Sequence, residues 1–96
     1  MRAIKNKSFD MGMQLVTAKV CEEMETPEFL FDVGVALDRF SRKDWGEMCD
    51  EDKQINEEAL STGGRLMGSY PTCKGKIWII TEADRSATTV LFPDEY

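Results

Sequence analysis

Apolar positions alternate in the last third of the chain and recur at helical spacing in the middle. Between Lys76 and Pro93, the runs Ile77-Trp78-Ile79-Ile80-Thr81 and Ala87-Thr88-Thr89-Val90-Leu91-Phe92 flank the polar segment Glu82-Ala83-Asp84-Arg85-Ser86. Two stretches rich in β-branched and aromatic residues about a polar loop predict a β-hairpin. The first strand is apolar on both faces, Ile77 and Ile79 on one and Trp78 and Ile80 on the other. Such a strand belongs inside a sheet with both faces covered, which puts Trp78 in the core.

Ahead of the hairpin, Arg65-Leu66-Met67-Gly68-Ser69-Tyr70 reads as a third strand and Pro71 to Gly75 as the turn after it, giving a three-stranded antiparallel meander. Thr26-Pro27-Glu28 is a helix start: an N-cap, a proline at the first helical position and an acid in the first turn. Leu30, Val33, Leu37 and Phe40 then form a stripe that Phe29 and Ala36 widen, predicting a helix that presses on the sheet. Val20, Cys21 and Met24 mark a shorter helix with Thr17 as N-cap. Asp44-Trp45-Gly46-Glu47 is a turn whose glycine takes a positive φ and whose tryptophan folds back on the core. A surface helix is expected from Asp50 to Leu60, with Ile55, Ala59 and Leu60 as its apolar contacts and glycine at its end. Residues 11–16 suit a short fourth strand or the lead-in to a helix; the strand, with Met13 and Leu15 facing one way, is favoured.

The pattern is that of one α+β domain over residues 1–96, a meander packed on two or three helices. Residues 1–10, basic and without periodicity, are expected to be a flexible tail. No long apolar run marks a membrane span, and no apolar segment follows the basic start as a signal peptide requires, so a cytoplasmic protein is expected. Cys21, Cys49 and Cys73 are odd in number and lack Cys-x-x-Cys spacing, which predicts reduced thiols and neither disulfides nor zinc. The chain has no histidine, which removes Ser-His-Asp and Cys-His catalysis and histidine-based metal sites. No cofactor or metal is expected, and the net charge of −6 argues against direct nucleic-acid binding.

Two constellations stand out. Asp44, Glu47, Asp50, Glu51, Asp52, Glu57 and Glu58 are opposed in their segment by Lys53 alone, an excess that equals the whole net charge of −6. A field of that strength attracts a protein with a basic surface and competes there with phosphate, while its bland counterpart is a solvated helix with acids near its N-terminus. Asp50-Glu51-Asp52 lacks the alternating ligands and central glycine of a calcium loop. The second constellation is Glu82, Asp84, Arg85 and Ser86 on the hairpin loop. As a site it makes a small ligand-binding or enzymatic domain; as a turn, Asp84 or Ser86 bonds local backbone and Arg85 pairs with Glu82. A third possibility is a homodimer or partner subunit built through the sheet face, which needs an apolar patch that the helices leave uncovered.

Asp44-Trp45-Gly46-Glu47, the acidic run Glu51-Asp52-Lys53-Gln54-Ile55-Asn56-Glu57 and the segment from Lys76 to Tyr96 together resemble a family of small proteins from bacterial plasmids and integrative elements, loosely labelled plasmid-related proteins or type I restriction subunit M. The resemblance covers roughly the last half of the chain. The chain lacks the length, cofactor motif and Asn-Pro-Pro-aromatic motif of an adenine methyltransferase. The resemblance implies a mobile-element setting and no chemistry. Joined to the acidic segment, it yields the leading expectation: a non-enzymatic interaction protein that blocks a host nucleic-acid-directed defence such as CRISPR or restriction.

Overall fold

The computed structural model describes residues 9–96. In chain order the elements are β1 (Met13–Val16), α1 (Ala18–Glu23), α2 (Pro27–Ser41), α3 (Asp50–Thr62), β2 (Leu66–Tyr70), β3 (Ile77–Thr81), β4 (Ala87–Leu91) and a 3-10 turn at Pro93–Glu95. The fold is α+β. Strands β2, β3 and β4 form the expected antiparallel meander, and β1 adds the fourth strand at the far edge in the order β1-β4-β3-β2. The sheet is mixed, because β1 runs parallel to β4, with Met13 opposite Ala87 and Val16 opposite Val90. Parallel neighbours need a long crossover, and all three helices lie in it. Gly12, with φ at +64°, permits the close entry of β1, since a Cβ there would collide with backbone atoms of Arg85 and Ser86.

Principal extents of 37 × 36 × 18 Å fit one sheet with one layer of helices. Alternation along the strands puts Leu66, Tyr70, Ile77, Ile79, Val90 and Phe92 on the covered face, packed with Val20 of α1 and Phe29, Val33, Ala36 and Phe40 of α2. The α2 stripe is Phe29-Val33-Ala36-Phe40, with Leu37 partly buried; the expected anchor Leu30 is instead 48% exposed. Thr17 caps α1 as expected, its Oγ1 accepting from the Val20 N–H at 3.3 Å. Thr26 stands at the N-cap of α2 without a side-chain bond. Most of the expected flexible tail lies outside the described residues, but Phe9, within its bounds, is docked: its ring sits 5.5 Å from Phe40 and 6.1 Å from Trp45.

The sheet's second face departs most from expectation. Among the described residues no helix packs flat on it. Ile80 and Leu91 are buried among cross-strand neighbours, but Trp78 is only half-buried, its ring meeting Tyr96 edge-on at 5.7 Å. Trp78 is thus no core residue; the core of β3 is Ile77 and Ile79, both fully buried.

Helix α3 packs against the outer edge of β2. Its buried residues are Asn56 and Ala59, and Ile55, the expected contact, is 55% exposed. The reason is the strand edge: Asn56 Nδ2 donates to the Met67 carbonyl at 2.7 Å, and the Met67 N–H donates to Asn56 Oδ1 at 3.1 Å. An unpaired strand edge needs polar partners more than it needs another apolar side chain. One turn along, the Ser69 N–H donates to the Trp45 carbonyl at 3.1 Å, and the Glu47 N–H donates to the Ser69 carbonyl at 2.7 Å. Gly46 makes this bridge possible: its φ is +77°, and a Cβ would strike the Ser69 carbonyl and the Tyr70 ring.

Candidate functional site

The acidic segment folds into three groups. Asp44 is committed locally: Arg39 Nε and Nη2 donate to its carboxylate at 2.8 and 3.3 Å, and the Gly46 N–H donates to it at 3.1 Å. The Arg39 hydrogen bonds, against some opposing burial, hold its pKa below the usual aspartate value and raise that of Arg39. Glu57 accepts from Trp45 Nε1 at 2.9 Å, tethering the buried indole to α3. The remaining five, Glu47, Asp50, Glu51, Asp52 and Glu58, are exposed and form no ion pair among the described residues. Asp50, Glu51 and Asp52 occupy the first turn of α3, where they face the positive end of the helix dipole.

Glu47 and Asp52 also line a groove between α3 and the second face of the sheet, about 430 Å³ in volume. Its apolar lining is Met48, Ile55, Met67 and Trp78. Arg65 and Lys76 complete its rim. Arg65 is already engaged: its Nη1 donates to the Tyr96 hydroxyl at 3.1 Å, its guanidinium carbon lies 5.8 Å from that ring's centroid, and its Nε is 3.9 Å from Glu82. The bond to Tyr96 raises the Arg65 pKa despite partial desolvation. Ser69 also lines the groove; it is 2% exposed, and its Oγ has no hydrogen-bond partner among the described residues.

At the hairpin loop the four candidate side chains do not converge. Asp84 accepts from the Ser86 N–H at 3.0 Å, an arrangement with Ser86 that lowers the Asp84 pKa. Ser86 is exposed, and its carbonyl accepts from the Met13 N–H at 3.0 Å. Glu82 points to Arg65, not to Arg85. Arg85, at φ +62°, turns back into the protein: Nη1 donates to the carbonyls of Gly64, Glu82 and Ala83 at 2.8, 3.1 and 3.2 Å, and Nη2 to that of Ala59 at 3.1 Å. Helix α3 ends at Gly63 in the left-handed conformation and has no basic residue in its last turn. Arg85 supplies that cation from a distant part of the chain, where the carbonyl ends of the helix favour it.

Sequence reasoning missed Asn56, Ser69 and the groove. Asn56 carried a signal, a polar residue three positions before Ala59 on the same helical face. Ser69 carried none beyond strand alternation. The three cysteines are exposed and free, and no group of three or more acids or cysteines among the described residues is placed to hold a metal ion. No helix of the described residues is long and apolar enough to cross a membrane. Comparison with protein-family models, curated proteins and solved structures finds no match to this chain.

Proposed function

We propose that the protein is a non-enzymatic binding module that presents α3 and the preceding loop to a protein partner with a basic surface. The observation that carries this reading is the set of five exposed carboxylates, Glu47, Asp50, Glu51, Asp52 and Glu58, none of which forms an ion pair among the described residues. Uncompensated charge on a rigid helix steers a basic partner and speeds its association. In the more specific form of this proposal the partner is a nucleic-acid-binding component of a bacterial defence, and the acids occupy the surface that phosphate would otherwise take. The mobile-element resemblance of the sequence supports that form. Capture from a bacterial lysate, followed by mass spectrometry, tests it. The expected catch is a nucleic-acid-binding protein that added DNA or RNA displaces and that the variant Asp50→Lys/Glu51→Lys/Glu58→Lys fails to retain. Equal recovery by the variant, or only generically basic proteins in both samples, rejects the reading.

A second reading rests on a separate patch. Leu30, Phe31 and Val35 on the outer side of α2 are 48, 71 and 43% exposed, which suits a homodimer joined through that helix. Sedimentation as a concentration-independent monomer, unaffected by Phe31→Glu, excludes it.

A further inference from the structure

We infer that the groove between α3 and the β2–β3 face is a socket for an arginine side chain of the partner protein. This rests on the basic-partner reading above and adds the residue the partner must bring. The groove offers what a guanidinium requires. Glu47 and Asp52 supply negative charge at the rim, and Trp78 supplies an aromatic wall, the best ring for a cation. Met48, Ile55 and Met67 provide apolar surface for the methylene stem of a long side chain. Ser69 also lines the groove, and its Oγ is buried and lacks a partner among the described residues. A buried hydroxyl without a partner is costly, and a donor that enters the groove removes that cost when the side chains over Ser69 shift to admit it.

The same residues discriminate among occupants. An anionic group meets Glu47 and Asp52; of the two cations on the rim, Arg65 is already bonded to Tyr96 and close to Glu82, and the exposed Lys76 also borders a second groove beside Phe92 and Asp94. A purely apolar group leaves Ser69 and both carboxylates unsatisfied. A strand of the partner cannot add to β2, because Asn56, Trp45 and Glu47 occupy that edge. Between the two basic side chains, arginine fits better. Its planar fork stacks on an indole and donates in several directions at once, whereas lysine presents a compact, strongly hydrated charge.

The test is an amide and indole NMR titration of the whole chain with the blocked peptide acetyl-Gly-Arg-Gly-amide, compared with its lysine, citrulline and glutamate counterparts. Saturable shifts are expected at the Trp78 indole N–H and the Ser69 amide, with citrulline binding about tenfold more weakly because it keeps the shape and loses the charge. Ser69→Ala is expected to weaken the arginine peptide about fivefold while leaving the urea midpoint unchanged or higher, a combination that a merely structural serine does not produce. Glu47→Gln/Asp52→Asn, which keeps side-chain shape, is expected to weaken it at least as much. The proposal is overturned if citrulline binds as well as arginine, if the glutamate peptide is preferred, if Ser69→Ala binds like the parent, or if millimolar arginine peptide shifts only Asp50, Glu51 and Glu58. Those three acids are the ones reversed in the lysate experiment and none of them lines the groove. Loss of the socket with partner capture still dependent on them therefore refutes the socket alone, and an intact socket with capture independent of them refutes the wider reading alone.

Discussion

The two ends of the β3–β4 hairpin carry loads opposite to those their residue types suggest. Trp78, the largest side chain on the central strand, is half-exposed and borders a groove. Arg85, on the loop tip, holds four carbonyls from two separate segments. The difference lies in what each neighbourhood lacks. Among the described residues the second face of the sheet has no covering helix, so an indole there contributes only part of its surface to burial. The last turn of α3 has no basic residue of its own, so a guanidinium from the hairpin, bonded to the Ala59 and Gly64 carbonyls, becomes structural. Residue type sets what a side chain can do, and the unmet need beside it decides what it does.

The largest effect should come from Ile79→Ala, on the same strand as Trp78 but on the covered face and fully buried. A loss of about 3–5 kcal/mol is expected from urea denaturation, a large part of the stability of a domain this size. Next, Asn56→Ala strips the Met67 N–H and carbonyl of their partners and should cost about 2–3 kcal/mol. Hydrogen exchange should localise that loss to β2, and uniform protection across the sheet would mean that the edge is held by other groups. Arg85→Ala should cost about 2 kcal/mol and speed exchange in the last turn of α3, with Arg85→Lys recovering only part because an ammonium lacks the fork. Trp78→Ala should cost about 1–2 kcal/mol, below what a fully buried tryptophan would lose. A Trp78 effect exceeding that of Ile79 would reverse the assignment of the two sheet faces.

The smallest effect concerns pH. The Tyr70 hydroxyl donates to the Asp44 carbonyl at 2.7 Å, and burial, aided by the nearby Asp44 charge and opposed by Arg39, raises its pKa above the ordinary 10.0. Above pH 10 the unfolded chain loses this proton while the folded one keeps it, so the stability present below pH 10 declines as pH rises further. Tyr70→Phe should be about 1 kcal/mol less stable at neutral pH and should show a shallower alkaline decline. Parallel alkaline profiles for the two proteins would show that other groups dominate that limb.

Local physics made much of the fold legible. The proline and acid at the start of α2, Thr17 at the cap of α1, Gly63 at the end of α3, the positive φ of Gly46 and the alternation in β2, β3 and β4 act within a few residues of themselves, and each appears where the sequence predicts it. The seven acids were equally legible, since charge is read directly. Tertiary structure alone decided which of them are spent, because Arg39 and Trp45 reach Asp44 and Glu57 only once the loop has folded. It also decided the parallel docking of β1, and which face of α3 is buried. Periodicity favours Ile55, but β2 presents an unpaired backbone edge, and hydrogen bonds to that edge outweigh the burial of one more aliphatic side chain. Arg85 and Ser69 follow the same logic. Their surroundings are built by segments distant in sequence, so whether a hydroxyl is left unpaired or a guanidinium becomes an anchor is fixed only when those segments meet.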